Sequence, residues 1–114
     1  MRLTLENGTA YENPDATEIE SALRSLSWAT DNSFAILERT DLTYMQTAQE
    51  DDPNVDPQDP FFVLEYQDGS LDQHFHAVDR PIRLDRVIEA FVQYARDDTA
   101  WRQAFEWEQV DLGR

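Results

Sequence analysis

Two turn dipeptides, Asn7-Gly8 and Asp68-Gly69, constrain the fold of this chain more than any other local feature. Each lies between segments in which apolar and polar residues alternate, and an Asn-Gly or Asp-Gly pair in that setting is typical of a β-hairpin. Thr40-Asp41 is a third natural tight connection, between the strand-like segments 33–39 and 42–48. The predicted sheet is therefore antiparallel.

Two further segments carry apolar residues at helical spacing. Residues 15–27 place Ile19 and Leu23 on one face. Pro14 suits the first helical position, and Asp15 with Glu18 forms either a capping box or a pair of acids favoured by the positive helix end. A stronger amphipathic pattern extends from Leu84 to Ala95. Strands clustered between two helices favour an antiparallel sheet that is covered by helices on one face. We predict a single α+β domain over residues 1–114, with the order ββαββββαβ and about five to seven strands. The strands are expected at residues 3–5, 9–12, 33–39, 42–48, 61–67, 70–78 and 105–110.

The charge of the chain excludes several classes of function. Its 114 residues hold 24 Asp and Glu against nine Arg, which gives a formal net charge of −15. Such a chain is repelled by phosphate backbones and by anionic lipid surfaces, so neither nucleic acid nor a membrane is expected as a partner. Lys and Cys are absent and there are only three glycines, which removes thiol nucleophiles, Schiff-base chemistry and glycine-rich phosphate loops. The composition thus favours a non-catalytic protein that needs no cofactor. The N-terminal residues show no export pattern, so we expect the cytoplasm.

An acidic segment at residues 49–60 concentrates this charge. It holds three prolines and five acids, and therefore −5 of the net −15. Proline removes backbone donors and the carboxylates repel one another, so the segment is predicted to be a loop. It is either a solvated loop or a contact surface for a basic protein partner, and the expected contact residues are Glu50, Asp51, Asp52, Asp56 and Asp59. A calcium loop is the weakest alternative, because Pro57 and Val63 stand where that loop needs Gly and Glu.

Asp72, His74 and His76 form a second candidate metal site. At positions i, i+2 and i+4 of a predicted strand, their side chains would share one face, and imidazoles so placed bind Zn²⁺ or Mn²⁺. This reading makes the chain a metal-dependent enzyme. The simpler alternative, which we prefer, is that both histidines lie on a solvent-facing strand surface and that no metal is bound.

The order of the predicted elements resembles that of small α+β proteins from bacterial toxin–immunity loci. In particular, the chain resembles the first-numbered immunity family, whose members neighbour deaminase-superfamily toxins in polymorphic toxin systems. The resemblance extends over most of the chain and depends on Asn13-Pro14 before a helix, residues 34–37, 44–46 and 62–70, the helix from Val87 to Tyr94, and the closing Trp107-Glu108.

The resemblance implies a non-catalytic immunity protein that binds a toxin domain and blocks its active site. Toxins that act on nucleic acid carry basic clefts, and a partner with a charge of −15 would be attracted to such a cleft. The composition alone also permits an interaction domain whose acidity is an adaptation to high salt or to solubility. The missing lysines fit either a high-salt interior or a genome that favours Arg codons.

Overall fold

The computed structural model describes residues 1–25, 34–50, 60–79 and 81–110. These residues form a seven-stranded antiparallel sheet with the strand order β2-β1-β3-β4-β5-β6-β7. The strands are β1 (Arg2–Leu5), β2 (Ala10–Glu12), β3 (Phe34–Thr40), β4 (Thr43–Gln49), β5 (Phe62–Asp68), β6 (His74–Ala77) and β7 (Trp107–Gln109). The α-helices in the same part of the chain are α1 (Ala16–Ser25), α2 (Leu84–Ala95) and α3 (Ala100–Ala104).

The predicted α+β class and the order of the main elements are confirmed, with two local differences. The short helix α3 is added between α2 and β7, and the Asp98 carboxylate accepts a hydrogen bond from the backbone N–H of Ala100 where it begins. The strand expected from residue 70 begins only at His74, because Leu71–Gln73 form one turn of 3₁₀ helix. The connection between β5 and β6 is therefore longer than the Asp68-Gly69 pair predicted.

The first hairpin forms at the predicted Asn7-Gly8 turn. The Leu5 N–H donates to the Thr9 carbonyl at 2.9 Å, and the Gly8 N–H donates to the Leu5 carbonyl at 3.0 Å. Gly8 has a φ of 87°, a left-handed conformation that glycine adopts at little cost. The Asn7 side chain closes the turn by accepting a hydrogen bond from the Thr9 N–H.

Helix α1 begins with the capping arrangement that its sequence predicted. The Glu18 N–H donates to Asp15 Oδ1 at 2.8 Å, and the Asp15 N–H donates to Glu18 Oε1 at 3.2 Å. This reciprocal pair satisfies backbone donors that the first turn of a helix leaves without partners. Asp15 is therefore the N-cap, and Pro14 precedes it instead of occupying the first helical position.

The core lies between one face of the sheet and helices α1 and α2. Alternate residues of the strands point into it and meet the apolar faces of both helices. Each large apolar side chain buried there stabilises the fold by roughly 1.5–3 kcal/mol. The fully buried members include Leu3, Leu37, Met45 and Leu64 from the sheet and Ile19, Leu23, Val87 and Phe91 from the helices.

Aromatic contacts fix α3 and β7 to this core. The Tyr66 ring on β5 stacks on Phe75 with ring centres 5.0 Å apart, and it meets Trp101 and Trp107 edge-on at 4.8 and 4.7 Å. Because these helices all pack against the same side, the opposite face of the sheet carries no helix in the described residues. None of the helices in this part of the chain has the length and apolarity to cross a bilayer.

Candidate functional site on the helix-free face of the sheet

We call the face of the sheet without a helix the open face. The pairing register aligns its side chains in three rows. Opposite residues in neighbouring antiparallel strands have Cβ atoms about 4.5–5.5 Å apart, so each row is a line of adjacent side chains. The first row contains Glu12, Arg2, Glu38, Tyr44, Gln67 and His74. The second contains Ala10, Thr4, Ile36, Gln46, Glu65, His76 and Glu108. The third contains Phe34, Ala48 and Val63.

The open face is acidic. Among the described residues its rows hold four glutamates and one arginine. The Arg2 Nε atom lies 2.6 Å from Glu12 Oε1, and this hydrogen bond is the main reason that the pKa of Arg2 is raised, with Glu38 adding to it. The single arginine is therefore already neutralised, and the remaining carboxylates give the face a negative potential.

A hydrogen-bonded network is buried within this face around His74, which is 3% exposed. Gln67 Nε2 donates to the Leu42 carbonyl at 3.2 Å, so its other end, Oε1, faces His74 Nδ1 at 3.1 Å. His74 Nε2 lies 2.9 Å from Glu65 Oε1. Both ring nitrogens of His74 therefore face oxygen atoms of neighbouring side chains.

Two neighbouring side chains complete the network. Gln46 Nε2 donates to Glu65 Oε2 at 3.2 Å, and the Tyr44 hydroxyl lies 3.4 Å from Gln67 Oε1. Burial, and to a smaller extent the Glu65 carboxylate, raises the pKa of Tyr44, so its hydroxyl remains protonated as a donor. These polar groups hold one another in place, and none of them is arranged as a nucleophile with an adjacent base.

A shallow cleft opens on the same face where β5 and β6 separate beyond Glu65 and His76. Its volume is about 290 Å³, and its walls include the apolar side chains of Val63 and Val78. His76 Nε2 lies 4.0 Å from Glu108 Oε2, too far for a hydrogen bond, and it has no hydrogen-bond partner in the described residues. The cleft therefore combines apolar walls with the residues Glu65 and Glu108, which carry carboxylates.

The alternative in which Asp72, His74 and His76 form a metal site is wrong in its geometry. Asp72 lies in the 3₁₀ turn before β6, where its carbonyl accepts a hydrogen bond from the Gln109 side chain, and it does not share a strand face with the histidines. His74 is buried in the network, which also corrects the expectation that both histidines face solvent. In the part of the chain that the structure describes, no group of three His, Cys, Asp or Glu residues is placed to hold a metal ion.

The predicted acidic contact segment lies largely outside the described residues, which exclude Asp51, Asp52, Asp56 and Asp59. Glu50 is described, and its N–H donates to the Phe61 carbonyl at 2.9 Å. This bond brings the two ends of the segment together where β4 and β5 pair. The segment therefore starts and ends beside the third row of the open face.

Comparison of the chain with family models, with curated proteins and with solved structures found no match.

Proposed function

We propose that this chain is a non-catalytic binding module that takes a basic protein partner on its open face. The observation that carries the proposal is the charge of that face, where the described residues place four glutamates and one arginine already paired with Glu12. The net charge of −15 adds a long-range attraction that steers a basic partner towards the chain.

Apolar side chains of the third row, together with Ile36 of the second row, support a docking role beside these charges. Phe34 is 37% exposed, and Ile36, Ala48 and Val63 are half-buried next to it. Protein interfaces combine an apolar centre with a polar rim, and the open face has both within one surface. In the cleft, the stem of an arginine would pack on Val63 while its guanidinium meets the Glu108 carboxylate.

The partner that fits this chemistry is a toxin that acts on nucleic acid, which would make the chain its immunity protein in the cytoplasm. Such a toxin presents basic groups to its substrate, and an acidic surface competes for the same groups. The absence of Lys and Cys and the closed network around His74 support a role without catalysis. The resemblance to the immunity family points to the same partner.

Co-expression with the product of the adjacent reading frame tests the proposal. We expect a stable complex, relief of that product's toxicity, and slower backbone amide exchange in β4, β5 and β6 when the complex forms. Helices α1 and α2 serve as the internal control, because their exchange should not change. No complex and no relief of toxicity would reject the proposed function, and protection confined to the helices would reject the proposed surface.

A further inference from the structure

Strand β7 lies at one end of the sheet, and in the described residues no strand pairs with its outer edge. On its inner side, the Val110 N–H donates to the His74 carbonyl at 2.8 Å. Hydrogen-bonded and non-hydrogen-bonded residues alternate along an antiparallel pair. This bond and the register therefore direct the backbone groups of Trp107 and Gln109 away from β6, towards the outer edge.

The outer edge offers backbone groups from a strand that is itself held in place. Within the described part of the chain, the N–H and C=O groups of Trp107 and Gln109 on this edge make no hydrogen bond. Both side chains are fixed, because Trp107 Nε1 donates to the Arg102 carbonyl at 3.1 Å and the Gln109 amide donates to the Asp72 carbonyl. An ordered strand with unpaired backbone groups is a template for a further strand.

The charge beside this edge selects the kind of strand that can be added. Glu108 belongs to the open face, and its side chain is 70% exposed. Glu106, which precedes β7, is exposed as well. Charged side chains on an edge strand disfavour pairing between identical copies, and a second copy of a chain with a charge of −15 is repelled. A basic segment is attracted by the same carboxylates.

The other side of the same edge is apolar. Trp107 is half-buried on the helix side of the sheet, where its ring meets Tyr66 and Phe105 edge-on at 4.7 and 5.7 Å between ring centres. A residue placed opposite Trp107 on an added strand would have its side chain on this same side. An apolar side chain there would pack against the indole ring.

We propose that the outer edge of β7 accepts an extended segment of the basic partner as an eighth strand of the sheet. This inference rests on the proposed function, because it specifies how the same partner binds beside the open face. Since every pair in the sheet is antiparallel, the added strand is antiparallel to β7. Its basic side chains lie beside Glu108, and they alternate with apolar side chains beside Trp107.

Titration of the ¹⁵N-labelled chain with the peptide acetyl-Arg-Val-Arg-Val-Arg-amide, followed by NMR, tests the pairing. We expect saturable shifts of the Trp107 and Gln109 amides, slower exchange of both, and a dissociation constant of roughly 1 mM. The absence of these shifts would overturn the proposal.

Two N-methylated forms of the peptide have the same charge and separate strand addition from attraction by charge alone. In the proposed pairing the valines exchange hydrogen bonds with Trp107 and Gln109, whereas the arginine N–H groups point away from β7. Methylation of the two valine nitrogens should therefore weaken binding about tenfold. Methylation of two arginine nitrogens is the matched control and should change the affinity by less than about twofold. Equal weakening by both would overturn the proposal.

The complex with the co-expressed partner gives a second test, whose failure differs from failure of the proposed function. We expect the Trp107 and Gln109 amides to exchange more slowly in that complex than in the free chain. A complex that protects β4, β5 and β6 but leaves these two amides unchanged would overturn the added strand and leave the proposed function in place.

Discussion

At the residue scale, Gln67 fixes the orientation of the buried polar groups on the open face. Its amide nitrogen is committed to the Leu42 carbonyl, so its oxygen must face His74, whose other nitrogen then meets Glu65. Because Gln67 and His74 are both removed from water, loss of one leaves the other without its partner. The cost of an unsatisfied buried polar group is about 1–3 kcal/mol, more if the group is charged.

We therefore predict that His74→Leu lowers the free energy of unfolding by about 2 kcal/mol, because Gln67 and Glu65 both lose a buried partner. His76→Leu is the matched control, since His76 Nε2 makes no hydrogen bond to the described residues. It should change the free energy by less than about 0.5 kcal/mol. Urea unfolding followed by circular dichroism measures both variants. Equal losses in the two would contradict the role given to the network.

A second residue-scale prediction concerns high pH. Burial raises the pKa values of Tyr44, Tyr66 and Tyr94 above the ordinary 10.0, so between pH 10 and those values only the unfolded chain releases these protons. The free energy of unfolding is then constant below pH 10 and falls as the pH rises further. Tyr94→Phe should make this fall shallower without lowering stability at pH 7. A pH series of urea unfolding curves checks it, and an unchanged slope in the variant would be the contrary result.

At the scale of elements, local interactions determine where α1 and the first hairpin begin. Asp15→Ala removes the N-cap oxygen that accepts the Glu18 N–H, and we predict a loss of about 1 kcal/mol in unfolding free energy. Glu20→Ala on the exposed face of the same helix removes only an ion pair with Arg24, so it should cost less than about 0.5 kcal/mol. Thermal and urea unfolding distinguish the two. A cost for Glu20→Ala as large as that for Asp15→Ala would contradict the cap.

The sequence predicted those elements whose causes are local. The Asn7-Gly8 turn and the Asp15–Glu18 cap depend on residues at most four positions apart, and both formed as expected. The Asp68-Gly69 pair predicted an immediate return strand, but a turn of 3₁₀ helix comes first and moves Asp72 away from the histidines.

The candidate site depends on pairing across distant strands, which no local pattern reveals. Tyr44 and Gln67 are 23 residues apart in the chain, yet they are direct neighbours in one row of the open face. The burial of His74 follows from this register, since it places Gln67 and Glu65 on either side of the ring. In the sequence, the only sign of this network was that Glu65 and Gln67 alternate with apolar residues in one strand. That pattern does not identify the residues of other strands that they contact.

At the scale of the whole molecule, the excess of carboxylates sets the response to salt. The charge of −15 repels itself, and added salt screens that repulsion, so the urea midpoint should rise modestly between low and high ionic strength. With its continuous core, the chain should nevertheless remain folded at low salt. Circular dichroism in dilute buffer checks this expectation. Unfolding there, reversed by molar salt, would instead favour the alternative in which the acidity is an adaptation to a high-salt interior.

The central claim is that the open face, more than the total charge, binds the basic partner. Two double variants that remove the same two charges separate these effects: Glu38→Gln with Glu108→Gln on the open face, and Glu20→Gln with Glu89→Gln on helices α1 and α2. The decisive measurement is the dissociation constant of each variant with the co-expressed partner at one salt concentration. We predict that the open-face pair weakens binding about tenfold and the helix pair by less than about twofold. Equal weakening by both pairs would contradict the claim.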